Sequence, residues 1–182
     1  METKNIFETK ALPLLPSAMA AAYNAGQITL VDEVIYFTKD LKSNTSVDMV
    51  LASDVQSTGL TNVNAGKLEQ GNYMLLTGVR LRTATITAGG NVAEADFSGQ
   101  LNKNVANGEI EINVSGKPIL PRMSNGRFVT GTTAKWNNYF ALDCPKLIVP
   151  SAPIDAKLYL SAGCAGLVAA RLELHGVMTV RA

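Results

Sequence analysis

Residues 168–181 read VAARLELHGVMTVR, which is the longest alternating pattern of the chain and the starting point for its fold. Its even-numbered positions are apolar or glycine, namely Val168, Ala170, Leu172, Leu174, Gly176, Met178 and Val180. Its odd-numbered positions are mostly polar: Arg171, Glu173, His175, Thr179 and Arg181, with Ala169 and Val177 as the exceptions. Alternation with a period of two is typical of a β-strand that packs one face on a core, whereas a helix would spread these residues around its circumference. The pattern therefore predicts a C-terminal strand whose polar face meets water.

Other segments of the chain have the same strand character and are separated by turn residues. The clearest candidates are residues 27–37, 47–52, 73–87, 109–116, 139–149 and 156–160, and the pair Asn107-Gly108 predicts a hairpin turn before the fourth of them. The apolar side of residues 73–87 changes near Gly78, which predicts a bulge there, and Pro118 and Pro121 confine the segment after residue 116 to an edge. Strands do not alternate with helices, so the sequence predicts an all-β, antiparallel β-sandwich of about eight strands.

The region before the first predicted strand lacks strand character, so the chain is divided into two parts. Residues 1–26 are predicted to be an N-terminal arm and a short helix, and residues 27–182 a β-sandwich domain with long loops. Ser17 is a candidate N-cap for a helix from Ala18 to Tyr23, and Gly26 is suited to end it. The opening METKNIFETK lacks the apolar run of a secretory signal, and no stretch approaches the roughly 20 apolar residues of a membrane span.

The composition excludes some classes of function. Hydrophobic residues make up 47% of the chain, and charged residues make up only 17%, against about 25% in typical soluble domains. The formal net charge of +1 argues against a dedicated nucleic-acid-binding protein, which carries a clear basic excess. Sparse charge indicates that part of the surface is covered, and self-association is the natural candidate, although low charge is also common in secreted β proteins.

One segment departs from this neutral balance. Residues 117–146 hold one acid, Asp143, and five basic residues, which are Lys117, Arg122, Arg127, Lys135 and Lys146. A solvated face is the usual explanation of such a segment, and contact with nucleic acid is the alternative.

His175 is the only histidine and the residue with the clearest catalytic potential. It lies two positions from Glu173, so it has the chemistry of a general base beside a carboxylate. A surface or interface histidine is the competing interpretation, and the serines lack a nucleophile-elbow pattern. We predict no catalytic, cofactor-binding or metal-binding residues and no enzymatic activity.

The candidates for metal binding and for disulfide formation are few. Glu109 and Glu111 share one strand face and are able to hold a cation at a subunit junction, although a solvated sheet face is the more usual explanation of such a pair. Cys144 and Cys164 are the only cysteines, and their apolar or small neighbours favour free thiols in a reducing compartment.

Residues 136–140, WNNYF, form the densest aromatic cluster of the chain. Exposed rings beside amide groups are suited to binding carbohydrate, whereas aromatic residues more often pack in a core. The cluster keeps a glycan-binding or cell-surface-binding module open as an alternative function.

Longer stretches carry a family resemblance. NGEIEINVSGKPILP (107–121), SNGRFV (124–129) and LIVPSAPIDAKLYLSAG (147–163), with the alternating last strand, resemble single jelly-roll capsid proteins of tailless icosahedral bacteriophages. The resemblance is architectural and covers roughly residues 27–182. It implies a jelly-roll subunit that assembles into trimers or capsomers, with no enzymatic site.

The resemblance sets the functional expectation. We expect a virion structural protein, made in the host cytoplasm and located in the capsid, whose partners are copies of itself and other virion proteins. The viral genome or an internal membrane is a further candidate partner, through the basic segment of residues 117–146. A tail-tube, spike or decoration protein would share this composition and stays an alternative. We expect no small-molecule substrate.

Overall fold

The computed structural model describes residues 12–87, 89–129, 138–164 and 167–182. These residues form two antiparallel four-stranded sheets and two short α-helices, so the predicted all-β sandwich is confirmed. The helices are α1 (Ser17–Asn24) and α2 (Lys103–Ala106). The strands are β1 (Ile28–Asp40), β2 (Ser46–Asp48), β3 (Met74–Thr85), β4 (Glu109–Val114), β5 (Lys117–Ser124), β6 (Tyr139–Ile148), β7 (Ile154–Tyr159) and β8 (Val168–Arg181).

The strands pair in a nested order. The first sheet has the order β1-β8-β3-β6 and the second sheet the order β2-β7-β4-β5. The first strand therefore pairs with the eighth, the second with the seventh, the third with the sixth and the fourth with the fifth. This nesting is compatible with a jelly roll, in which two Greek keys are wound into facing sheets.

The C-terminal strand β8 organises the first sheet. It pairs with β1 over its whole length, from Ile28 opposite Arg181 to Asp40 opposite Ala169. On its other side it pairs with β3, and the register shifts between Leu76 and Gly78. The predicted bulge near Gly78 is confirmed.

The core lies between the two sheets. The even-numbered residues Leu172 and Leu174 of β8 are fully buried, and so are Ile110 and Leu158 of the second sheet, all in one apolar cluster. The apolar face predicted for β8 therefore faces the sandwich interior.

The opposite face of β8 differs from the prediction. Glu173 is only 7% exposed and Thr179 only 1%, so the expectation that this face meets water is wrong. Two loops lie over it: Gly59, in the loop after β2, accepts a hydrogen bond from Arg171, and Phe97, in the loop after β3, accepts one from Arg82. Polar residues on this face are therefore paired with protein groups instead of water.

Some local predictions are corrected at the level of single elements. Helix α1 begins at Ser17 itself, with Pro16 as its cap residue, while Gly26 has a positive φ of 69° just beyond its end. The pair Asn107-Gly108, a hairpin signal in the sequence, instead joins the end of α2 to β4. Gly108 is required there because a Cβ would collide with the Tyr159 carbonyl.

Candidate functional site

The residues of the covered face of the first sheet form an ion cluster around Glu173. Alternation along β3 places Arg80 and Arg82 on the same face as Glu173, and the register sets Arg80 directly opposite Glu173. The carboxylate of Glu173 accepts a hydrogen bond from Arg82 Nη1 at 3.2 Å and lies 3.8 Å from Arg80 Nη1. His175 Nε2 lies 3.2 Å from Glu173 Oε2, the carboxylate oxygen that does not accept the hydrogen bond from Arg82.

The electrostatics of this cluster favour an ionised Glu173. Burial raises the pKa of its carboxyl group, but hydrogen bonds from His175 and Arg82 and the charges of Arg82 and Arg80 outweigh burial, so the pKa is lowered overall. Burial also lowers the pKa of Arg80, with help from the neighbouring charge of Arg82. The cluster is therefore an ion network, with two guanidinium cations around one carboxylate, that ties β3 to β8.

His175, the general-base candidate, is held by packing as well as by Glu173. Its side chain is 14% exposed, and the ring of Tyr139 meets it edge-to-face with the ring centres 5.4 Å apart. Tyr139 approaches so closely over Gly78 that a Cβ at that position would collide with its hydroxyl. These contacts give the imidazole a structural position between β3, β6 and β8.

Arg171 holds the covering loops on the sheet. Its guanidinium donates hydrogen bonds to Thr38 Oγ1 at 3.0 Å and to the Gly59 carbonyl at 2.9 Å. It also lies over the ring of Phe97 at 4.5 Å and over that of Tyr36 at 5.0 Å. Desolvation lowers the pKa of Arg171, which indicates how far this cation is removed from water. We name these five residues the arginine clamp.

The predicted acidic pair of β4 is divided between two partners. Glu109 accepts a hydrogen bond from Arg122 Nε at 2.6 Å, and Glu111 accepts one from the Tyr159 hydroxyl at 3.0 Å. The described part of the chain holds no group of three or more His, Cys, Asp or Glu side chains arranged to bind a metal ion. The pair thus belongs to a charged ladder on the outer face of the second sheet.

The two cysteines are free thiols, as predicted. Cys144 is exposed on β6, whereas Cys164 is buried near the end of the loop before β8. Burial raises the pKa of the Cys164 thiol, so its reactive thiolate form is disfavoured.

The aromatic cluster of residues 136–140 is only partly within the described residues, since Trp136 and Asn137 lie outside them. Asn138 is buried, and Tyr139 contacts His175. Phe140 meets Phe128 edge-to-face with ring centres 6.1 Å apart. The described rings of this cluster therefore pack internally.

The described parts of the basic segment, residues 117–129 and 138–146, lie along one lateral side of the sandwich. Strands β5 and β6 are edge strands of different sheets, and the Phe128–Phe140 contact brings them to the same side. The described charges of residues 117–129 and 138–149 are those of Lys117, Arg122, Arg127, Asp143 and Lys146, and all five side chains are exposed. Lys135 lies outside the described residues. We name this surface the basic side.

The opposite lateral side carries more acidic than basic residues. Edge strands β1 and β2 are joined by the short connection 41–45, and the loop from β2 to β3 lies against β1 through a hydrogen bond from the Thr38 amide to the Leu60 carbonyl. Residues 27–72 carry six acids (Asp32, Glu33, Asp40, Asp48, Asp54 and Glu69) and three bases (Lys39, Lys42 and Lys67). We name this surface the acidic side.

A cavity of about 500 Å³ opens on the acidic side. Ile35, Leu68 and Met178 contribute apolar lining. Glu33, Glu69 and Lys67 contribute charged lining. The acidic side is thus concave as well as negatively charged.

Sequence reasoning singled out His175 and Glu173 but missed Arg80, Arg82 and Tyr139. The spacing of Arg80 and Arg82 was a usable signal, since a separation of two places both on one strand face. Their meeting with Glu173 depends on the register between β3 and β8, which no local pattern specifies.

In the described ranges no helix is both long and apolar enough to cross a membrane. No protein-family model matches the chain, and no curated protein matches it in sequence.

Proposed function

We propose that the protein is a structural subunit of a virion, which assembles with copies of itself into trimers or capsomers of an icosahedral capsid. The observation that carries this proposal is the nested pairing of eight described strands in two four-stranded sheets. That pairing is compatible with the jelly roll that the resemblance to capsid proteins implies, and jelly rolls are a recurrent architecture of viral capsid domains.

The composition supports the same proposal. Only 17% of residues are charged, and surfaces that become buried between subunits are depleted of charge relative to other surfaces. Several large apolar side chains are nevertheless exposed in the isolated chain, among them Val55 at 73% and Val129 at 50%. Contact with neighbouring subunits would remove such residues from water.

The arrangement of the described residues favours assembly over catalysis. The histidine and the carboxylate that suggested acid–base chemistry are engaged in a buried ion cluster with two arginines. The two lateral sides of the sandwich are left for contacts with other copies and with other virion proteins.

The experiment that tests the proposal measures the assembly state of the purified chain. Light scattering after size-exclusion chromatography, followed by negative-stain microscopy, should show trimers, capsomers or closed shells as concentration rises. A chain that stays monomeric at all concentrations and salt conditions would refute the proposal.

The same images separate the alternatives. Stacked rings or tubes would indicate a tail-tube protein instead of a capsid subunit. Binding to a glycan array by a monomer, lost in Trp136→Ala, would indicate a carbohydrate-binding module.

A further inference from the structure

We propose that copies of the chain associate head to tail, with the basic side of one copy against the acidic side of the next. This inference rests on the proposed function and adds the surface and the direction of the contact. Two features of the molecule carry it, namely opposite charge on opposite lateral sides and a cavity on the acidic one.

The basic side has an excess of positive charge after internal pairing is taken into account. Arg122 is paired with Glu109 of the neighbouring strand β4. The remaining described charges on this side are Lys117, Arg127 and Lys146 against Asp143. All four side chains are exposed, so they are available to a partner.

The acidic side has a matching negative excess. Lys39 is paired with Asp54, and Asp48 with Lys157 of β7. The remaining charges are Asp32, Glu33, Asp40 and Glu69 against Lys42 and Lys67. Each side thus keeps a net excess of two charges of its own sign, counted over residues 27–72 on one side and over residues 117–129 and 138–149 on the other.

This distribution determines the symmetry of the contact. Two identical sides placed together would bring like charges into contact, which is unfavourable by several kcal/mol in close interfaces. Opposite sides placed together pair unlike charges, so the contact is heterologous. Heterologous contacts generate rings when the rotation closes and filaments when it does not, and rings of this kind are the capsomers that the proposed function requires.

The edges of the sheets favour contact through side chains over addition of a strand. β5 carries Pro118 and Pro121, and β6 carries Pro145 and Lys146. In β6, Ala141 pairs with Gly78 and Lys146 with Leu76, so residues 142–145 bulge out of the ladder. On the acidic side, Asn62 caps β1 by accepting from the Tyr36 amide and donating to the Val34 carbonyl. These features disfavour the pairing of a further strand with the edges of the sheets.

The cavity between β1 and the loop 56–72 gives the acidic side a receptor for this contact. Its apolar lining and its charged lining, two carboxylates (Glu33 and Glu69) against one cation (Lys67), suit a basic side chain with a long aliphatic stem. Lysine and arginine side chains of the neighbour's basic side have that chemistry.

Charge reversal on each side tests the inference. The basic-side variant is Lys117→Glu with Lys146→Glu, the acidic-side variant is Asp32→Lys with Glu69→Lys, and the combined variant carries all four substitutions. Sedimentation velocity at low salt should show association weakened about tenfold or more in each double variant, because like charges then face each other. The combined variant should regain association, because the two sides are again opposite in charge.

A control variant and salt complete the experiment. Asp155→Lys reverses an exposed charge on the outer face of the interior strand β7 and should leave association within about twofold of wild type, because a single exposed charge contributes little. Wild-type association should weaken as salt rises, since screening shortens the range of the attraction. Urea denaturation of every variant verifies that the fold is retained.

The outcomes separate this inference from the proposed function. Wild-type assembly that both double variants retain would overturn the head-to-tail contact and leave the capsid proposal standing. A wild-type chain that never assembles would overturn both. A third outcome would also count against this inference. If the basic-side variant kept its assembly but lost binding to double-stranded DNA or to anionic vesicles, Lys117 and Lys146 would be assigned to genome or membrane contact.

Discussion

At the scale of single residues, Glu173 is the side chain on which the covered face most depends. It is 7% exposed and serves as the negative partner of Arg80, Arg82 and His175. Replacement by glutamine keeps the shape but leaves the arginines without their anion, so Glu173→Gln should lower the free energy of unfolding at pH 7 by about 1–3 kcal/mol. Urea denaturation measures this change.

The effect should depend on pH with a defined sign. The pKa of Glu173 is lowered in the folded state, so its contribution to stability is present above the ordinary glutamate pKa and is lost as pH falls through the folded pKa. The stability difference between wild type and Glu173→Gln should therefore shrink at pH values below about 4.3. Asp143→Asn, at an exposed position of β6, is the control. Equal stability of wild type and Glu173→Gln at pH 7 would contradict the structural role of the cluster.

Two glycines of the first sheet offer a second test at this scale. A Cβ at Gly176 would collide with the backbone carbonyl of Leu75, whereas one at Gly78 would collide with the end of the Tyr139 side chain. Backbone within a sheet cannot move aside, so Gly176→Ala should destabilise by about 1–3 kcal/mol and by more than Gly78→Ala. Equal losses in urea denaturation would contradict this difference.

Gly78→Ala should instead displace Tyr139 from His175. The chain has one histidine, so its imidazole NMR signals report directly on the contact. They should shift in Gly78→Ala as the edge-to-face ring contact is lost.

At the scale of elements, the sequence predicted what depends on local pattern. Strands β1, β3 and β8 and the bulge at Gly78 follow from alternation and from a change of apolar side, which the neighbouring residues encode. Asn107-Gly108 was misassigned because the same dipeptide serves a hairpin turn and the end of a short helix. The burial of Glu173 escaped prediction because it results from distant loops that cover a face whose own residues are polar.

The arginine clamp explains how those loops are held and gives an element-scale prediction. Arg171→Met keeps the length and apolar character of the stem but removes the hydrogen bonds to Thr38 and Gly59. We expect a loss of about 2 kcal/mol in the free energy of unfolding, typical of a disrupted partly buried network. Amide hydrogen exchange should become faster in residues 57–62 and 91–97.

Arg181→Met is the matched control, because it makes the same change at the exposed end of the same strand. Arg171→Lys should restore the charge but only part of the stability, since lysine lacks the planar fork of donors. Unchanged exchange in both loops of Arg171→Met would show that other contacts hold them.

At the scale of the whole molecule, the sequence predicted the sandwich but not which strands pair. Nested pairing joins β1 to β8 across more than a hundred residues, and such long-range partners are selected by the combined packing of both sheets. The lateral separation of charge has the same origin. Lys117 and Lys146 are distant in sequence and share a side only because β5 and β6 are edge strands.

Because both sheets contribute to one apolar cluster, the described sandwich should unfold as a unit. Leu172 of the first sheet and Leu158 of the second are both fully buried in it. Leu172→Ala and Leu158→Ala should each lower the free energy of unfolding by about 2–5 kcal/mol, through lost burial and the cavity left behind. Under conditions that keep the subunit monomeric, each variant should show one transition, with equal calorimetric and van't Hoff enthalpies.

Hydrogen exchange then identifies the unit that unfolds. In Leu158→Ala the protection of β3 and β8 should fall together with that of β4 and β7, because the two sheets share one core. Val55→Ala, at a side chain that is 73% exposed, is the control and should change neither stability nor protection. If Leu158→Ala lowered protection only in the second sheet, the sheets would be separate cooperative units, and the packing between them would contribute little to the stability of either.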